Sequence, residues 1–149
     1  MNGITRIAGM VLIAAALAAG CSKGGSSNGS NPGGDDPHNY YVPNDTIAPV
    51  LVVSTPTGGQ VFSSGNPINV TGRITDELGL YRGSIRIVND ANGELQKEQL
   101  FEIHSVLDYN YSLSFPTYVT VVSNYTVTVW FEDHGLNKVT QTVKVKINP

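Results

Sequence analysis

Along the C-terminal two-thirds of the chain, apolar and polar side chains alternate at every second position. Tyr125, Val127, Val129 and Phe131 alternate with Asn124, Thr126, Thr128 and Trp130. Val139, Gln141, Val143, Val145 and Ile147 alternate with Thr140, Thr142, Lys144 and Lys146. Ile68, Val70, Gly72 and Ile74 do the same against Asn69, Thr71, Arg73 and Thr75. A period of two puts one set on a buried face and the other in water, so each run predicts a half-buried strand. No segment sustains the 3.6-residue stripe of an amphipathic helix.

Turn-forming clusters cut this pattern into pieces. Pro56-Thr57-Gly58-Gly59 and Asp90-Ala91-Asn92-Gly93 are two of them, each rich in residues that set or tolerate turn dihedrals. The runs between turns predict strands near 49–54, 61–62, 67–75, 80–89, 95–103, 109–115, 124–132 and 138–148. Seven to eight short strands at this spacing predict an all-β fold, an Ig-like antiparallel β-sandwich spanning 46–149. Tyr125, at the start of the penultimate run, suits the tyrosine-corner position of such folds. The chain has a single cysteine, so packing rather than a disulfide must hold this core.

The N-terminal third reads differently. Arg6 is the one charged side chain in residues 1–20, and the 13 residues from Ile7 to Ala19 are uncharged and apolar. A helix needs about 20 residues to span a bilayer, so the run fits the apolar region of an export signal instead. It ends in Ala18, Ala19 and Gly20, directly before the lone Cys21. Residues 22–45, SKGGSSNGSNPGGDDPHNYYVPND, are poor in aliphatics and rich in Gly, Ser and Asn. Such a segment buries too little surface to offset its ordering entropy. It is expected to be a flexible tether with a reach of roughly 25–30 Å. The organisation expected is therefore 1–20 signal, 21–45 tether and 46–149 folded domain.

Leu17-Ala18-Ala19-Gly20-Cys21 resembles the lipobox of bacterial lipoproteins, with Ala18 standing where Leu is usual. The resemblance implies that Cys21 receives the lipid and becomes the mature N-terminus. Two or three acyl chains would hold the protein firmly, at about 0.8 kcal/mol per buried CH₂. Lys23 follows Ser22 without the Asp that marks inner-membrane retention in some bacteria, so the outer membrane is favoured. Asp45-Thr46-Ile47-Ala48-Pro49, Thr75-Asp76-Glu77-Leu78-Gly79-Leu80 and Phe131-Glu132-Asp133-His134-Gly135 are similar to the turns of bacterial Ig-like extracellular modules. A lipobox ahead of one sandwich resembles small Gram-negative envelope lipoproteins of unknown function. Asp45-Thr46-Ile47 also resembles a short bacterial O-glycosylation acceptor.

Charge excludes one function class. The net charge is −3, and loss of Arg6 with the signal takes it to −4, so there is no electrostatic footprint for nucleic acid. No HExxH, P-loop, GxGxxG or nucleophile elbow occurs in the sequence, and an enzyme is not expected. The histidines are scattered: His38 in the tether, His104 after a strand, and His134 as a polar residue of a turn.

Two groups of residues remain as candidate sites. An Ig-like topology brings the start of the first strand, the end of the second and the last hairpin turn to one pole. Asp45, Asp76 and Asp133 would then converge there, with Glu77 and Asn137 nearby. Hard oxygen ligands of this kind suit Ca²⁺, although capping of turns by Asp side chains is the preferred role, and no cofactor is otherwise expected. Strand parity puts Trp130 outward, and if the three strands form one sheet, Arg82, Arg86 and Lys144 share its outer face. An exposed indole among polar donors is a common anchor for sugars or protein partners. The function expected is a lipid-anchored, non-catalytic envelope module for binding or adhesion to a glycan or protein. The alternative is a structural spacer or a subunit of an envelope assembly.

Overall fold

The computed structural model describes residues 41–149. The signal segment, Cys21, His38 and the tether up to residue 40 lie outside the described residues. Among the described residues, no helix is long and apolar enough to cross a membrane.

Six strands form: β1 (Val50–Thr55), β2 (Val61–Ser63), β3 (Pro67–Asn89), β4 (Leu95–Pro116), β5 (Ser123–Asp133) and β6 (Lys138–Asn148). The eight runs expected from periodicity are all strand, but two pairs are continuous. Runs 67–75 and 80–89 join as β3, and runs 95–103 and 109–115 join as β4. The turn signals between them are absorbed as irregularities, with register shifts between Thr75 and Leu80 and again before Arg82. Gly79 at φ 124° and Ser105 at φ 59° make the sharp bends there. A left-handed φ is easy for glycine and costly for serine.

These bends curl one sheet into two facing layers. The first half of β3 pairs with β1 and with the second half of β4. The second half of β3 pairs with the first half of β4 and with β5, then β6 follows, and β2 closes that edge in parallel. The result is an Ig-like β-sandwich, all-β and predominantly antiparallel. At one open edge, Gln141 Nε2 of β6 donates to the Leu51 carbonyl of β1 at 2.9 Å, tying one layer to the other.

The core follows the parity read from the sequence. Ile68, Val70 and Ile74 face Ile85, Ile87, Val127, Val129, Phe131, Val145 and Ile147 across the interior. Two aromatic rings lie over glycines of the neighbouring strand: Tyr111 covers Gly72, and Phe131 covers Gly83. Neither site has room for a Cβ. The Tyr111 hydroxyl donates to the Val52 carbonyl at 2.9 Å, and burial pushes its pKa upward. Tyr125 is buried in the core, but the hydroxyl tie to backbone expected of it belongs to Tyr111.

Candidate functional site

The acidic pole is built from the three bends at one end of the sandwich. Asp45 precedes β1, Asp76 sits at the bend of β3, and Asp133 ends β5. Each aspartate caps its own loop by accepting hydrogen bonds from backbone amides at Oδ1. Asp45 Oδ1 accepts from the Ile47 amide at 3.1 Å. Asp76 Oδ1 accepts from the amides of Leu78 at 2.9 Å and Gly79 at 2.7 Å. Asp133 Oδ1 accepts from the Asn137 amide at 2.8 Å. These are the turn-capping contacts expected of Asp, in which the side chain stands in for a backbone acceptor.

The backbone amides use only Oδ1 of each carboxylate. One oxygen from each of the three carboxylates lies within 4.8 Å of the other two. All three residues are buried, Asp133 completely. Asn137 Nδ2 bridges the group, donating to Asp133 Oδ2 at 3.0 Å and to the Asp45 carbonyl at 3.1 Å. Asp45 Oδ2 is buried without a hydrogen-bond partner. None of the salt bridges among the described residues engages the trio. Two carboxylates at this separation repel by about 3 kcal/mol at an effective dielectric near 20. Glu77, placed nearby by the sequence, is exposed at the surface.

Beside the trio stands a ring cluster that strand periodicity did not reveal. Tyr81 lies 5.1 Å from His104 and 4.9 Å from His134, centroid to centroid, and the two imidazoles are 5.7 Å apart. His134, expected as a polar turn residue, is almost fully buried, and His104 lies within β4 rather than in a loop. The reason is the bend of β4, which brings residue 104 over the same pole as the last hairpin. The adjacency of Asp133 and His134 was the available signal.

The second candidate is the outer face of the five-stranded layer. Leu100, Ser84, Trp130 and Thr140 form one row across β4, β3, β5 and β6. Leu100 is 68% exposed, Ser84 is fully buried, and Trp130 is half-buried. Arg82 and Arg86 flank this row, and Lys144 lies further along the same face, as parity required. Each cation has an acidic neighbour: Arg82 Nε to Glu132 at 2.6 Å, Arg86 Nε to Glu98 at 3.4 Å, and Lys144 Nζ to Asp90 at 3.6 Å. The sequence did not show what covers the indole. Lys138 Nζ stands 3.9 Å over the Trp130 ring, within the range of a cation–π contact.

The two-layer Ig-like class is thus defined by strand pairing. No protein-family model matches the chain, and no curated protein matches it. Among solved structures it is similar to CopC from Methylosinus trichosporium OB3b, at 20% identity and a TM-score of 0.48. That likeness covers 68% of this chain and 94% of that one. It is similar also to murine CRIg, at 12% identity and a TM-score of 0.38, over 67% of this chain and 96% of that one. Likenesses this distant leave the fold to the strand pairing, and function to the residues of this chain.

Proposed function

We propose that this chain is a lipid-anchored, non-catalytic module of the cell envelope that binds a protein partner through the outer face of its five-stranded layer. One observation carries the choice: Leu100 and Trp130 stand on either side of the buried Ser84 in one row, which the Arg82–Glu132 and Arg86–Glu98 pairs border. An apolar, aromatic centre within a charged rim is the anatomy of a protein interface. Sugar stacking needs an open indole face, and Lys138 already occupies one side of Trp130. Anchoring and export rest on the apolar run Ile7 to Ala19 and on Cys21, with the outer membrane as the favoured site. The packing of His104 and His134 against Tyr81 supports a structural use of both imidazoles. The cofactor this module would take is a divalent cation at the acidic pole.

The test places a photo-crosslinking residue at position 100 of the full chain in intact cells, and at Asn110 of the other layer as control. A discrete protein adduct from position 100, absent from position 110 and lost with Trp130→Ala, supports the reading. Equal adducts from both positions refute it. No adduct from position 100 favours the spacer role, and glycan-array binding lost with Trp130→Ala moves the ligand to sugar. Cys21→Ser checks the anchor separately, since undiminished membrane association of that variant would remove the lipoprotein assignment.

A further inference from the structure

The lead-in to the domain does not approach it loosely. The Val42 amide donates to the His134 carbonyl at 3.1 Å, and the Asp45 amide donates to the Val42 carbonyl at 3.1 Å. Asp45 is then buried between the bend of β3 and the last hairpin. Burying three carboxylates together is unfavourable unless something of opposite charge joins them. Capping explains why each Asp is present, and why Oδ1 of each is bonded inward to its own loop. It does not explain Asp45 Oδ2, which is buried, faces no donor, and belongs to a residue only 6% exposed.

We infer that Asp45, Asp76 and Asp133 hold a Ca²⁺ ion that clasps the lead-in, residues 42–49, onto the pole of the sandwich. Three carboxylates supply hard anionic oxygens from three separate loops, and Ca²⁺ accepts six to eight oxygens in flexible geometry. Water completes such a shell, and a way in exists. A surface cleft of about 290 Å³, lined by Ile47, Ala48, Val50, Thr75, Asp76 and Glu77, opens beside the trio. Glu77 places a further negative charge at that mouth. Mg²⁺ is the poorer fit, because it demands near-ideal octahedral geometry and gives up its waters reluctantly. Because Asp45 joins the lead-in to the two bends, the ion sets how firmly the folded domain is held at its membrane-proximal entry. The clasp does not depend on which partner the outer sheet face binds, and its test reads neither crosslinking nor anchoring.

The experiment titrates CaCl₂, and MgCl₂ in parallel, into the detergent-solubilised full chain stripped with a chelator. Thermal unfolding and hydrogen exchange of the peptide covering residues 42–49 are followed together. For an affinity in the extracellular range of about 10⁻⁴–10⁻³ M, about 10 mM Ca²⁺ should raise Tm by roughly 6–12 °C. Exchange across residues 42–49 should slow at the same time. Asp45→Asn keeps the capping oxygen but removes one charge, so it should raise the metal-free Tm and abolish the Ca²⁺ response. That variant relieves repulsion rather than creating it, so loss of folding is not its expected outcome. No Tm response to Ca²⁺ in the wild type overturns the site. An undiminished response in Asp45→Asn overturns its location, an equal response to Mg²⁺ overturns the assignment to Ca²⁺, and binding without slower exchange at 42–49 overturns the clasp.

Discussion

Tyr111→Phe isolates one hydrogen bond in the middle of the sandwich and gives that bond a pH signature. The ring of Tyr111 packs 5.2 Å from Phe131 and lies over Gly72, while its hydroxyl reaches past the glycine to the Val52 carbonyl at 2.9 Å. Phenylalanine keeps the ring and removes only the donor. A buried bond of this kind contributes about 1–2 kcal/mol once the abandoned carbonyl is included. With an unfolding entropy of about 2.1 cal/mol/K per residue over roughly 110 residues, Tm at pH 7 should fall by about 4–9 °C.

The pH dependence follows from the direction of the shift. Burial holds the folded-state pKa of Tyr111 above that of an unfolded tyrosine, which is about 10. Below that value both states carry the proton, and the stabilisation is fully present. Above it the unfolded chain loses the proton while the folded chain keeps it, so stability falls as pH rises toward the folded pKa. The loss is about 1.4 kcal/mol per pH unit in that window. The phenylalanine variant has no such component, so its gap from wild type should close by about pH 11. Chemical denaturation of both proteins at pH 7, 9, 10 and 11 reads this gap directly. A gap that stays constant from pH 7 to 11, or a Tm change under about 1 °C at pH 7, would refute the reasoning.

Five further outcomes follow from particular contacts. Gly83→Ala sets a Cβ against the Phe131 ring and 2.6 Å from the Trp130 carbonyl, so it should cost about 1–3 kcal/mol, measured by urea unfolding. Gly135→Ala sets a Cβ 2.7 Å from the Asp45 Cβ and 2.9 Å from its carbonyl, so it should weaken Ca²⁺ binding at least about tenfold by moving one ligand, read by calorimetric titration. Lys138→Ala uncovers the indole, costs about 0.5–1 kcal/mol, and should change the emission spectrum of Trp130, the only tryptophan of the chain. Arg82→Ala leaves the largely buried Glu132 carboxylate without the guanidinium now 2.6 Å away. That should destabilise by about 1–3 kcal/mol, whereas Arg86→Ala, whose pair is 3.4 Å long and more exposed, should change stability by less than about 0.5 kcal/mol.

The legible part of this fold is the part that local rules determine. A side-chain period of two is imposed by strand geometry, so Val127, Val129 and Phe131 announce a buried face wherever their strand sits. Outward parity likewise turned Trp130, Arg82, Arg86 and Lys144 away from the core, and the pairing of their strands puts them on one face. The joins of β3 and β4 were not legible, because Asp76-Glu77-Leu78-Gly79 has the composition of a turn whether the chain reverses or merely bends. Gly79 at φ 124° serves both outcomes. Nor could parity show that Lys138 leaves its own row to lie over Trp130, since that depends on a flexible side chain choosing between water and an indole face.

The acidic pole shows the same division inside single residues. Sequence reasoning set capping against metal binding, as though one aspartate had to do one thing. A carboxylate has two oxygens, and at Asp45, Asp76 and Asp133 the local role takes Oδ1. Capping by backbone amides therefore fixes each carboxylate without using its second oxygen, and at Asp45 that oxygen has no hydrogen-bond partner. Three loops, each shaped by its own Asp, deliver one oxygen of each carboxylate to within 4.8 Å of the other two, an arrangement that long-range topology creates and no local pattern encodes. It follows that Asp→Asn at these positions separates the two roles, keeping a capping oxygen while removing charge. Asp→Ala removes both, so without metal it should be less stable than Asp→Asn at the same site by the lost cap, about 0.5–2 kcal/mol. At position 45, an Asn variant more stable than wild type and an Ala variant less stable than the Asn variant, both measured without Ca²⁺, would show that both roles reside in one side chain. An Asn variant no more stable than wild type would leave Asp45 with capping alone.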